Sequence, residues 1–157
     1  WRARACAGKP AAAMAVNACP GVSGMNGIGP TAGSANWCLV GPFWRPPGDG
    51  YCLCGFVADG RHGNKRDVVH GGMVATAFDI GLGHACWSGT DCNPIVTVTL
   101  LIQYVDALRI GEFTTVQTEI VRTTRSMVFV RGVMKVADRT IATADGVWKR
   151  LAPSAAS

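Results

Sequence analysis

Residues 70–87 are the one stretch of this chain suited to a long helix, and everything after them is patterned like strand. They contain no Pro and no cluster of β-branched side chains, and they run into Ser88-Gly89, a helix stop. Val74, Ala77, Phe78, Gly81 and Ala85 fall on one side of that helix. Gly81 and Gly83 weaken it intrinsically, so they predict the close approach of another backbone. Residues 95–104 are rich in Val, Thr and Ile, and 112–124, 126–137 and 140–151 follow at near-regular spacing. From Val128 to Val136 the pattern alternates with a period of 2. Short turns at 122–125 and 137–139 predict antiparallel neighbours. Upstream, residues 51–58 form an apolar run between Gly50 and Gly60, which predicts one more strand. The order strand, helix, four strands is an α+β layout, with one long helix against a five-stranded, largely antiparallel sheet.

The chain has 157 residues, of which 48% are hydrophobic and 16% charged. That excludes a disordered or fibrous chain. The net charge of +5 invites a nucleic-acid reading, but its location argues otherwise. Residues 1–48 hold Arg2, Arg4, Lys9 and Arg45 and no acid, while the remainder holds 11 basic and 10 acidic residues. The body is near neutral and shows no finger, helix-turn-helix or aromatic-basic motif, so no nucleic-acid partner is expected. No run approaches the ~20 apolar residues of a membrane helix, so no membrane partner is expected either.

Residues 1–35 contain ten Ala, six Gly and three Pro without periodicity. We expect a weakly ordered extension over 1–40, one domain over 41–152 and a short tail over 153–157. The basic start and the mildly apolar residues 11–16 faintly suggest a processed leader, although that run is short and broken by Asn17. The seven Cys are an odd number with no C-x-x-C. Cys52 and Cys54 share one face of a strand near His62, which fits either a metal site or buried reduced thiols. We take the second, expecting a cytoplasmic protein without metal.

The segment that can carry chemistry runs from Asn64 to Asp79. It is a loop feeding a helix whose first turn contains Gly71-Gly72. First-turn N–H groups have no intrahelical partner and carry the positive end of the helix dipole. Without a Cβ they admit a ligand carbonyl closely, which is how an oxyanion site is built from main chain. Asp79 lies nine residues after His70, about 13–14 Å along an ideal helix. It cannot easily serve the same carbonyl as Gly71 of its own helix, but it could from the opposing helix of a twofold dimer. On a helical wheel it sits with Ala75, Thr76, Gly83 and Cys86, either desolvated and functional or simply exposed. His70 alone reads as a hydrogen-bonding residue at a helix start, and Asn64 alone as a loop residue tolerant of the left-handed region.

Asn64, then His70-Gly71-Gly72, then Asp79 resembles the hotdog-fold acyl-CoA thioesterases, in particular their phenylacetate-pathway-like branch. The spacing agrees, with Asn six residues before the His and Asp nine after it. So does the element order, and residues 94–104 look like the strand that follows the central helix. The resemblance spans roughly residues 41–151. It implies a hotdog fold, a homodimer that often pairs again into a tetramer, an acyl-CoA substrate and no cofactor, CoA being part of the substrate. By the same resemblance the active site lies at the dimer interface. The Gly71 N–H would polarise the thioester carbonyl, Asn64 would assist in holding the carbonyl or the water, and the partner's Asp79 would act as general base or nucleophile. Thr97 would orient the water or the carboxylate, and His70, with Gly72, would anchor the turn without acting as base.

Thioester hydrolysis suits these residue types, since it needs an activated water and a polarised carbonyl, and the thiolate leaves readily. Two departures stand out. Asp67 occupies a position midway between the Asn and the H-G-G where the family often has Gly or Gln. Ala107 follows Tyr104 where the family often has Pro, which removes a turn constraint. CoA is anionic, so Lys65, Arg66, Arg122 and Arg125 are candidates for its phosphates, against the plainer role of solvated charges. Phe43, Trp44, Phe56 and Trp87 either line an apolar pocket or belong to the core. A hotdog dehydratase would place a His and an acid differently. A non-catalytic acyl-CoA-binding hotdog protein, a sensor or oligomerising module, is the alternative from another class.

Overall fold

The computed structural model of the protein describes residues 26–28, 40–41, 43–45, 53–91 and 93–152. One helix, α1 (Gly71–Ser88), lies on an antiparallel sheet. The strands are β1 (Asn26–Ile28), β2 (Phe43–Arg45), β3 (Leu53–Val57), β4 (Ile95–Tyr104), β5 (Phe113–Thr123), β6 (Met127–Val136) and β7 (Arg139–Arg150). Their order across the sheet is β1-β2-β3-β5-β6-β7-β4. The five expected strands are all present. The sheet is larger than expected because β1 and β2, three residues each, extend the β3 edge. Neither is long enough to show a period of 2, and β2 lies between Pro42 and Pro46-Pro47. Of the expected 1–40 extension, only β1 and Val40 fall within the described residues.

The helix buries Met73, Val74, Ala77, Phe78, Gly81, Leu82, Ala85 and Cys86. So wide an apolar stripe belongs to a helix that the sheet wraps. Cys86 therefore faces the core and not the side of Asp79. Small residues on the sheet admit the helix. At Gly132 of β6 a Cβ would stand 2.6 Å from Leu82 Cδ1, so the helix rests on β6 at that point. Gly81 has a different cause from the one expected. A Cβ at Gly81 would meet Cys54 Sγ at 2.9 Å, and one at Gly83 would meet Trp148 Nε1 at 3.5 Å. Gly81 thus makes room for a strand side chain, whereas Gly83 has only an ordinary contact within its own chain. The Cys54 thiol is pushed up to about 12 by burial, against the Val116 backbone bond that lowers it. Cys54 and Cys86 are both free buried thiols, and Cys52 lies outside the described residues.

The β4 edge bears on the site. Among the described residues β4 pairs only with β7, and a bulge between Thr97 and Thr99 breaks their register. A regular strand would put Thr97 and Tyr104, seven residues apart, on opposite faces. The bulge at Val98 shifts the parity, so both face the helix. The free edge is long and apolar, with Val98 54% and Leu101 58% exposed. It carries neither Pro nor Lys, the usual guards of an edge strand. No described helix is long and apolar enough to cross a membrane.

Candidate active site

The start of α1 is built from the loop before it. Gly63 and Val69 form an isolated antiparallel bridge, and Asn64 N–H donates to Val68 O at 2.8 Å. Residues 64–68 are thus a closed turn, with Asp67 in the left-handed region at φ 56°. Asn64 Oδ1 accepts from Arg66 N–H at 2.8 Å, which leaves its amide NH₂ as the donor end. Lys65, Arg66 and Asp67 are exposed on the same turn.

His70 is the helix N-cap. Its Nδ1 accepts from Gly72 N–H at 3.0 Å, so the imidazole consumes one orphan donor of the first turn. This is the anchoring role expected of it. Gly71 is the first helical residue and its N–H has no intrahelical acceptor. On its other side the Tyr104 hydroxyl donates to Gly71 O at 3.0 Å, and a Cβ at Gly71 would stand 3.4 Å from the Tyr104 ring. Tyr104 is a site residue that sequence reasoning noted only as a strand end.

Asp79 is exposed, and its Oδ1 accepts from the Thr97 hydroxyl at 2.7 Å. Thr97 and Asp79 therefore meet within one chain. Between the exposed and desolvated alternatives for Asp79, the single subunit gives exposure. The carboxylate opens onto a cavity of about 630 Å³ between α1 and β4, lined also by Ile80, His84, Trp87, Ile95 and Trp148. His84 meets Trp87 edge-on, with ring centroids 6.0 Å apart. Of the aromatics considered for a pocket, Trp87 lines this one, whereas Phe43, Trp44 and Phe56 are core. His84 and Trp148 were missed. One stands beyond Asp79 on the helix and the other on a late strand, and nothing in their sequence neighbourhoods links them.

The other basic candidates separate. β5 begins at Phe113, paired with Val57 near the 64–68 turn, and ends toward Arg122 and Arg125. These two arginines therefore stand at the far end of the sheet from Lys65 and Arg66.

His62 underlies the site. It is buried, its carbonyl accepts from His70 N–H at 2.8 Å, and its Nδ1 accepts from Asp59 N–H at 3.0 Å. Burial pushes its pKa down and Arg61 adds to this, against the Asp59 carboxylate and the Val40 carbonyl, which raise it. The unfolded chain therefore takes up a proton more readily than the native one. The stability this confers is complete above the ordinary His value of about 6.5 and is lost as pH falls below it. We expect the melting temperature to drop between pH 7 and 5. His62→Asn, which keeps an acceptor for Asp59 N–H, should be less stable overall but flatter across that interval. An unchanged slope in thermal scans would count against His62 as the group responsible.

Helix, sheet wrap and helix-start glycine together define a hotdog subunit of the thioesterase kind. A family model described as the thioesterase superfamily matches residues 67–143. The Pseudomonas aeruginosa protein named "Putative esterase PA0474" is 30% identical over 112 residues, covering 70% of this chain and 84% of that protein. Zebrafish thioesterase superfamily member 2 superposes with a TM-score of 0.61 at 20% identity, over 83% of each chain. The E. coli PaaI protein gives a TM-score of 0.61 at 15% identity, over 71% of this chain and 74% of that one. Bacillus halodurans BH2602, solved with CoA, gives 0.60 at 24% identity, over 64% of this chain and 67% of that one. The chain belongs to the thioesterase superfamily.

Proposed function

We propose that the protein hydrolyses an acyl-CoA thioester to the free acid and CoA, in a twofold dimer whose two active sites are each shared between subunits. One observation carries this: β4 tethers both halves of the site, Thr97 holding Asp79 and Tyr104 holding Gly71. On one helix Gly71 and Asp79 are eight residues apart, about 12 Å, too far to meet on one carbonyl. A second copy can add to the open β4 edge in antiparallel sense. With Thr97 of one copy opposite Tyr104 of the other, the pairing centres between Leu100 and Leu101. Each Asp79 then faces the Gly71 of the other subunit. The half-exposed Ala75, Thr76 and Gly83 on that side of α1 are small enough for a second helix to approach.

In that arrangement the thioester oxygen takes the Gly71 N–H at the positive helix end, with the Asn64 amide beside it. Asp79, oriented by Thr97, removes a proton from water. The water oxygen bonds to the carbonyl carbon, the C–S bond breaks, and the proton passes to the departing CoA thiolate. Water, carboxylate and main chain supply the chemistry, so no cofactor is called for. Lys65 and Arg66, beside Asn64, are suited to CoA phosphate, and Arg122 and Arg125 would reach it only from the other subunit. The free thiols Cys54 and Cys86 support a cytoplasmic setting.

Release of CoA thiol over a panel of straight-chain and aromatic acyl-CoAs tests the reading. Turnover of at least one thioester by a dimer, unaffected by a chelator, is the expected result. Binding without turnover across the panel would overturn it in favour of a non-catalytic acyl-CoA-binding module.

A further inference from the structure

We infer that Arg139, at the start of β7, is a positioning residue for this reaction: it fixes the 105–112 loop, and through that loop the turn that carries Asn64 and feeds Gly71. The inference rests on the functional reading above. One guanidinium makes four contacts with this loop. Its NH1 donates to Asp106 Oδ2 at 2.8 Å and to Ala107 O at 2.7 Å, and its NH2 donates to Glu112 Oε1 and Oε2 at 2.6 and 2.7 Å. Only a planar fork satisfies two carboxylates and a carbonyl together. Both carboxylates in turn hold loop backbone. Asp106 Oδ1 accepts from Ala107 N–H at 2.7 Å, and Glu112 Oε2 accepts from Arg109 N–H at 2.8 Å.

The loop so held is the wall on which the catalytic turn docks. Val69 N–H donates to Leu108 O at 2.8 Å, Val68 and Arg109 form an isolated bridge, and Leu108 is buried. Val69 is followed directly by the His70 cap and by Gly71. The chain of contacts therefore runs from Arg139 through Asp106, Ala107 and Glu112 to Leu108 and Arg109, then to Val68 and Val69. It is continuous: carboxylates tie Arg139 to the loop backbone, and backbone bonds tie the loop to the turn.

Ala107 itself takes part in the clamp. A Pro at position 107 would fix the backbone but could not donate to Asp106. Ala107 does donate, so a charged clamp holds the loop where a ring is absent. Arg139 holds the Asp106 carboxyl below the usual range, aided by the Ala107 N–H. Burial pushes Glu112 up, yet the Arg109 N–H and Arg139 outweigh it and hold it below its usual range. Both are therefore charged, and the clamp closed, at neutral pH.

Arg139→Gln in the full-length protein tests this, read by steady-state kinetics and by amide hydrogen exchange. We expect kcat to fall about tenfold with KM within about twofold, because a slightly displaced oxyanion donor costs rate without costing binding. Val69 and His70 amides should exchange about tenfold faster while the amides of α1 from Ala77 to Ala85 keep their protection. Glu112→Gln should give part of both effects and add little in the double variant. Unchanged exchange at Val69 would overturn the proposal, as would a kcat loss accompanied by uniform loss of protection through helix and sheet. If the wild-type protein turns over no acyl-CoA, the functional reading fails separately. Val69 exchange then still decides whether Arg139 holds the turn.

Discussion

Asp79→Asn is expected to lower kcat for acyl-CoA hydrolysis by ~10²–10⁴-fold, the range for loss of a positioned general base. The structure makes this substitution unusually clean. Asp79 is exposed, and its one hydrogen bond among the described residues is accepted from Thr97, a bond that the Asn carbonyl oxygen can also accept. Shape and contact survive, and the proton acceptor is removed. Within the single chain Asp79 is exposed and away from the core, so the fold of each subunit should be little affected. A thermal scan alongside the kinetics separates the two effects. Asp79→Ala should lose as much rate, because the carboxylate and not the hydrogen bond is what the step needs. Thr97→Val should lose less, since it frees the carboxylate to rotate without removing it. Turnover undiminished in Asp79→Asn would exclude Asp79 as the base and, with it, the shared-site mechanism.

How much of this could be read from sequence depends on whether the information was local. The helix, its core face and the four strands after it were legible because each is a periodic run longer than its own period. β1 and β2 were not, because three residues between prolines and glycines carry no period. Asn64, His70, Gly71 and Asp79 stood out through their spacing, and His70 caps the helix start, the hydrogen-bonding place its position suggested. Tyr104, Trp148 and Arg139 were not legible. Tyr104 and Trp148 reach the site, and Arg139 the 105–112 loop, from strands 33 or more residues beyond Gly71, and the contacts depend on sheet order, which places β4 beside β7 and not beside β5. The β4 bulge is the sharpest case. A regular strand over residues 95–104 would put Thr97 and Tyr104 on opposite faces, and one unpaired residue reverses that. Gly81 is a related case. At Gly81 the tolerance of close approach was legible, but the approaching group, Cys54, comes from a strand well before the helix in sequence.

Gly71→Pro is expected to lower kcat by ~10²–10³-fold, the usual cost of removing one main-chain oxyanion donor. It should also fold, for reasons specific to this position. Gly71 is the first residue of α1, where Pro is favoured because its missing N–H was an orphan in any case. The residue before a Pro must avoid the helical region, and His70 already sits at φ −63° and ψ 136°. A Cβ at Gly71 would lie 3.4 Å from Tyr104, an ordinary contact. The substitution thus deletes one donor while preserving the helix start, which Ala could not do. Its strongest use is in combination. Gly71→Pro and Asp79→Asn are each expected to be inactive as homodimers, for different reasons. If subunits are exchanged between them, about half the dimers should be mixed, and each mixed dimer holds one site with both an intact Gly71 and an intact Asp79. The mixture should recover about a quarter of wild-type activity, because one of the two sites in half of the dimers is whole. A site contained within one chain predicts no recovery, since every chain in the mixture lacks one of the two groups. The outcome therefore decides whether the 12 Å between Gly71 and Asp79 along α1 is closed across the β4 edge by a second subunit.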